Sequence, residues 1–118
     1  MEDIDWSAAL QATNSVRNAA AIVYNFAFHN SPEVDLQSPE ALRLIEAWAG
    51  LHNSHNDLRC DIRKRRWSSA KASVHRALAH AEVISEFGSK MLVSPQHLDL
   101  LRRAEAYAKS LLCEWSSD

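Results

Sequence analysis

Glycine and proline are scarce: two and three in 118 residues. Sheets with tight hairpins need them, because their turns demand positive φ or a preset φ. Their shortage points to long helices instead. Cysteine is as rare. Cys60 and Cys113 stand far apart and no CxxC occurs, so no disulfide framework or zinc ribbon is indicated. Two reduced thiols in a cytoplasmic protein are expected. The richest apolar run, Ala19 to Tyr24, is far shorter than the roughly 20 residues that cross a bilayer. Met1-Glu2-Asp3-Ile4-Asp5 is acidic, the opposite of a secretory leader. No membrane contact is expected.

The signatures of common chemistries are also missing. The chain has no glycine-rich phosphate loop, no G-x-S-x-G elbow and no Glu-x-x-His pair. Ser68 and Lys71 match S-x-x-K by spacing, but the motifs that accompany it do not occur. We expect no catalytic residue and no cofactor.

What is present reads as one helical domain over 1–118. Apolar residues make up 47% and charged residues 24%, an ordinary balance for a folded globule. Asp5 is a good N-cap for a first helix that runs to about His29, before Asn30-Ser31-Pro32. Trp6, Leu10, Thr13, Val16, Ala20, Val23 and Ala27 alternate by three and four, which is one helical face. Ala12, Ala19, Ile22 and Phe26 form a second row. The stretch Ala19–Phe28 is therefore apolar nearly all round and needs neighbours on several sides. Ser38-Pro39 opens a second helix and Ser94-Pro95 opens the last, which runs to about Trp115.

Between them, residues 51–87 hold neither glycine nor proline. Ala41, Leu44, Trp48, Leu51, His55, Leu58 and Ile62 make one stripe. Trp67, Ala70, Val74, Ala77, Ala81 and Ile84 make another, about 90° round from the first on a continuous helix. Either 39–87 is one helix about 70 Å long, or it breaks, with His52-Asn53-Ser54-His55-Asn56-Asp57 the best site after Gly50. The expected fold is all-α, an antiparallel bundle of three to four helices. The all-round apolar stretch and the uninterrupted run both suggest a homodimer.

Charge is the most uneven feature. Arg59, Arg63, Lys64, Arg65, Arg66, Lys71 and Arg76 are seven of thirteen bases, opposed within their segment only by Asp61. Six bases face fourteen acids elsewhere. On one helix, Arg59, Arg63 and Arg66 would share a side, with Trp67 as an aromatic anchor. The expected partner is a protein with an acidic surface. Nucleic acid is the second choice, disfavoured by the net charge of −2. The blander alternative pairs these bases with Glu40, Glu46, Asp99 and Glu105 on other helices.

His52 and His55 stand three apart near Asp57 and Cys60, which suggests zinc, but no further cluster completes four ligands. A metal-binding or enzymatic bundle around them is the weakest alternative, and no metal is expected. His55 fits better as a polar contact in a packing seam that fixes register. The reading is a non-enzymatic binding protein: a small regulator, inhibitor or adaptor.

Overall fold

Asp5 starts the first helix as its side chain suggests. Its Oδ1 accepts the Ala8 N–H at 3.0 Å, pairing one of the donors that every helix start leaves open. The computed structural model describes residues 5–30, 39–90 and 94–116, and 95% of them are helical. The order is α1 (Trp6–Asn30), α2 (Pro39–Arg63), α3 (Trp67–Lys90) and α4 (Pro95–Ser116). The Ser94 carbonyl accepts the His97 and Leu98 N–H groups at 3.0 and 3.2 Å, opening α4 where Ser-Pro placed it. The Ser38 cap, the first loop, Met91 and Leu92 lie outside the described residues.

The helices run up, down, up, down. Thr13 meets His55 and Tyr24 stacks on Trp48, so α1 and α2 are antiparallel. Ser73 reaches Asp61, and Lys109 reaches Glu82, so α2–α3 and α3–α4 are antiparallel too. Both α1 and α3 pack on all three other helices, whereas α2 and α4 do not meet among the described residues. The bundle section is thus a rhombus with α1 and α3 on its short diagonal.

Side-chain size explains that diagonal. The buried positions of α1 include Ala9, Ala12, Ala19 and Ala20, and those of α3 include Ala70, Ala77, Ala81 and Gly88. Small residues let two axes approach closely. Of the largest fully buried side chains, Leu44, Leu51, Leu58 and Leu101 come from α2 and α4, and Ile84 from α3. Each such side chain contributes about 1.5–3 kcal/mol by leaving water. Gly50 makes room for a side chain of α3: a Cβ there would stand 2.5 Å from the His80 ring.

Residues 39–87 are two helices, and the break is not at 52–57. Helix α2 continues through Gly50 and Asp57, burying Leu51, Ser54, His55 and Leu58 as it goes. It ends inside the basic cluster. The Arg65 N–H bonds the Ile62 carbonyl at 3.1 Å, and the Arg66 N–H bonds the Asp61 carbonyl at 2.8 Å. Arg65 has φ 58°. This is a Schellman stop with arginine, not glycine, in the left-handed position. The motif usually carries an apolar contact between its last residue and the turn before. Here an ion pair replaces it, Arg66 Nε to Asp61 Oδ1 at 3.4 Å. Arg66 also begins α3, its carbonyl accepting the Ala70 N–H at 2.9 Å. The two apolar stripes are offset because they belong to separate helices that this turn folds together.

Left-handed backbone costs a non-glycine L-residue about 1 kcal/mol. Arg65→Gly should therefore raise stability by about 0.5–1 kcal/mol, partly offset by extra freedom in the unfolded chain. Arg65→Val should lower it by about 1–2 kcal/mol. Urea denaturation reads both. A glycine variant less stable than the parent would contradict the turn described.

Candidate docking surface

The turn gathers the basic cluster at one end of the bundle instead of along one helix face. Arg63 closes α2, and Lys64 and Arg65 form the connection. All three are exposed. Trp67 follows as the first residue of α3 and keeps 44% of its surface in solvent. Its ring lies on Trp6, centroids 5.4 Å apart and planes 17° from parallel. Trp6 opens α1, and the parallel course of α1 and α3 brings the two N-terminal indoles together. The result is a fixed aromatic platform beside three exposed cations.

The remaining bases are placed differently. Arg66 is turned onto Asp61, so it does not share a side with Arg59 and Arg63 as a continuous helix would have it. Asp61 is a buried acid, with 7% of its surface exposed. Its other oxygen accepts from Ser73 Oγ at 3.1 Å, and Ser73 Oγ accepts from Arg76 at 2.9 Å. Arg76 also lies 3.8 Å from Asp57. Arg66 and Arg76 therefore lock the hairpin through Asp61. Lys71 is half-buried on α3. No ion pair shows the expected bland partners meeting the cluster among the described side chains. Asp99 pairs with Arg103 on its own helix, and Glu105 is buried at the α3–α4 contact, where burial pushes its carboxyl above the ordinary value. Glu40 lies outside the described side chains.

Arg59 points the other way, towards α1. With Leu10, Gln11, Asn14, Arg17 and His55 it lines an open cleft of about 290 Å³. His55 is 4% exposed, and its Nδ1 lies 2.9 Å from Thr13 Oγ1. Thr13 spends its single proton on the Leu10 carbonyl at 3.1 Å. With that proton on Leu10, His55 Nδ1 carries its own proton and donates to Thr13, which leaves Nε2 with a free lone pair; the other tautomer reverses both roles. Burial first, then the charges of Arg17, Arg59 and His52, lower the His55 pKa from 6.5 to about 4. The ring is neutral at pH 7. His55 thus fixes the register of α1 on α2. His52 is exposed and faces Trp48, with centroids 6.3 Å apart. Among the described residues no group of three metal-ligating side chains forms. No described helix is long and apolar enough to cross a membrane.

Sequence reasoning missed Arg17, Asn14 and the Trp6–Trp67 stack. One signal for the cleft was present. Thr13 and His55 are polar residues on otherwise apolar seams, and two such residues on facing helices satisfy each other when buried.

The His55 environment predicts a pH dependence. The folded chain resists protonating His55, while the unfolded chain protonates it normally. Between about pH 6.5 and 4 the unfolded state therefore holds a proton that the folded state lacks. Stability from this group is complete above pH 6.5, declines as pH falls through the window, and levels off below about 4. The total is at most about 3 kcal/mol. His55→Gln should flatten the profile relative to the parent when urea midpoints are compared from pH 7.5 to 4. Equal slopes in both proteins would refute the buried neutral histidine.

Compared with protein-family models, curated proteins and solved structures, the chain matches none.

Proposed function

We propose that this chain is a non-enzymatic binding protein, a small regulator, inhibitor or adaptor, whose basic tip docks on an acidic protein surface. The observation that carries the reading is Trp67: half-exposed, held flat on Trp6 and flanked by Arg63, Lys64 and Arg65. An indole already fixed in place loses little freedom on binding, which leaves more of its contact energy as affinity. Tryptophan and arginine are also the residues that most often dominate protein interfaces. Exposed cations around it would speed encounter with an acidic partner.

Nucleic acid is the second reading. The open face of Trp67 could stack on a base. Against it, the basic segment is divided by a turn, so no continuous basic helix exists to lie in a groove. A homodimer is also proposed. The long-helix motive for it is gone. What supports it is Ile22, 42% exposed within the apolar stretch of α1.

Two experiments check these statements. The Trp67 indole N–H resonance should shift saturably with polyglutamate at physiological salt, and hardly at all with DNA or RNA. Joint replacement Arg63→Glu, Lys64→Glu, Arg65→Glu should weaken the polyglutamate response at least about tenfold, or about 1.4 kcal/mol. Tighter binding to nucleic acid, with a salt slope that drops by about one per lost contact, would put the second reading first. No response to either polymer would remove both. For the dimer, sedimentation at micromolar concentration should show twice the chain mass, and monomer alone would overturn it.

A further inference from the structure

The cleft between α1 and α2 is separate from the tip and has its own chemistry. Six residues line it, and none is acidic. Arg17 from α1 and Arg59 from α2 both face it. Among the described residues neither forms an ion pair. Arg17 is steadied by a neutral contact, donating to Asn14 Oδ1 at 2.8 Å. Two guanidinium groups that share a concavity without a carboxylate repel each other, and they focus positive potential into it. The Leu10 side chain supplies an apolar wall that sharpens the effect. Helices α1 and α2 hold both arginines there because the Thr13–His55 bond sets their register.

The third polar group narrows the ligand. His55 is nearly sealed from solvent and anchored through Nδ1, and its Nε2 bonds to none of the described residues. With Nδ1 protonated, the neutral ring offers a lone pair there. The site therefore asks for negative oxygens on two sides and one hydroxyl donor. A carboxylate has two coplanar oxygens and carries no proton at neutral pH. A phosphate group has oxygens in a tetrahedral array and, with a second pKa of about 6, keeps one P–O–H in part of its population at neutral pH. Arginine forks match phosphate oxygens well.

We propose that this cleft binds a small phosphate compound, its phosphate group held between Arg17 and Arg59 with the P–O–H donating to His55 Nε2. The rest of the ligand would extend through the open side of the cleft. The phosphate neutralises the two charges that, after burial, most disfavour protonated His55. The charges that act on His55 are those of Arg17 on α1 and of Arg59 and His52 on α2.

The test is a titration of the full-length isotope-labelled chain with inorganic phosphate, with glycerol 3-phosphate and with succinate. It is read at the His55 ring nitrogens and the Nε–H groups of Arg17 and Arg59. Both phosphates should shift these signals saturably, with dissociation constants near or below about 1 mM, a reasonable strength for so few atoms. Arg17→Gln and Arg59→Gln should each weaken binding at least tenfold, with circular dichroism verifying that both variants stay folded. The tip variant carrying Arg63→Glu, Lys64→Glu and Arg65→Glu should bind phosphate as the parent does. That arm keeps this site distinct from the docking surface. Absence of saturation by about 20 mM phosphate would overturn the proposal. So would undiminished binding by either glutamine variant, or succinate binding as tightly as phosphate.

Discussion

The reversal of the chain at Lys64–Arg66 governs everything else in this molecule. Three backbone facts make it: a left-handed Arg65, the 6→1 bond from Arg66 to Asp61, and the return of the chain into α3 at Trp67. Without it α2 and α3 would be one rod, with their apolar stripes facing different directions. With it the stripes face each other and the bundle closes. The reversal also collects Arg63, Lys64 and Arg65 at one end and puts Trp67 within reach of Trp6. The ion pair of Arg66 with buried Asp61 fastens the turn where an apolar contact would be ordinary. Removing a charged partner from such a buried group costs about 1.5–3 kcal/mol.

Close approach is the second constraint. Alanines on α1 and α3 shorten one diagonal of the bundle, and Gly50 admits the His80 ring between α2 and α3. At the far end Gly88 plays the same part. A Cβ there would sit 2.8 Å from Val23 and 2.6 Å from Leu98, where α1, α3 and α4 converge. The chain's two glycines thus do not serve turns at all. They serve packing inside helices, and α3 runs past Gly88 to Lys90.

Buried polar groups do the work of specification. A purely apolar seam between α1 and α2 could slide by a turn at modest cost. The Thr13–His55 bond removes that freedom, because a slip would strand both groups in the core. The same bond seats the His55 ring in the wall of the cleft, where burial and the charges of Arg17, Arg59 and His52 keep it neutral.

The helical faces were legible in order of residues alone, since a period near 3.6 needs no partner to be seen. So were the Asp5 cap, the Ser94-Pro95 opening of α4 and the part of His55 in a seam. The α2–α3 break was not. Its signals are the wrong residues: arginine stands where glycine is usual, and α3 begins without a Ser, Thr, Asp or Asn cap. Composition also told that seven bases crowd one segment, but not which of them reach solvent. Asp61 claims Arg66 outright, and Arg76 through Ser73, because the hairpin brings α3 back across α2. Arg17 and Arg59 belong to different helices, so only tertiary packing could set them on one cleft. Local sequence determines what a residue's own helix does with it. Which charges are paired, which are exposed and which converge depends on distances between helices, and those are set by the sizes of the side chains between them.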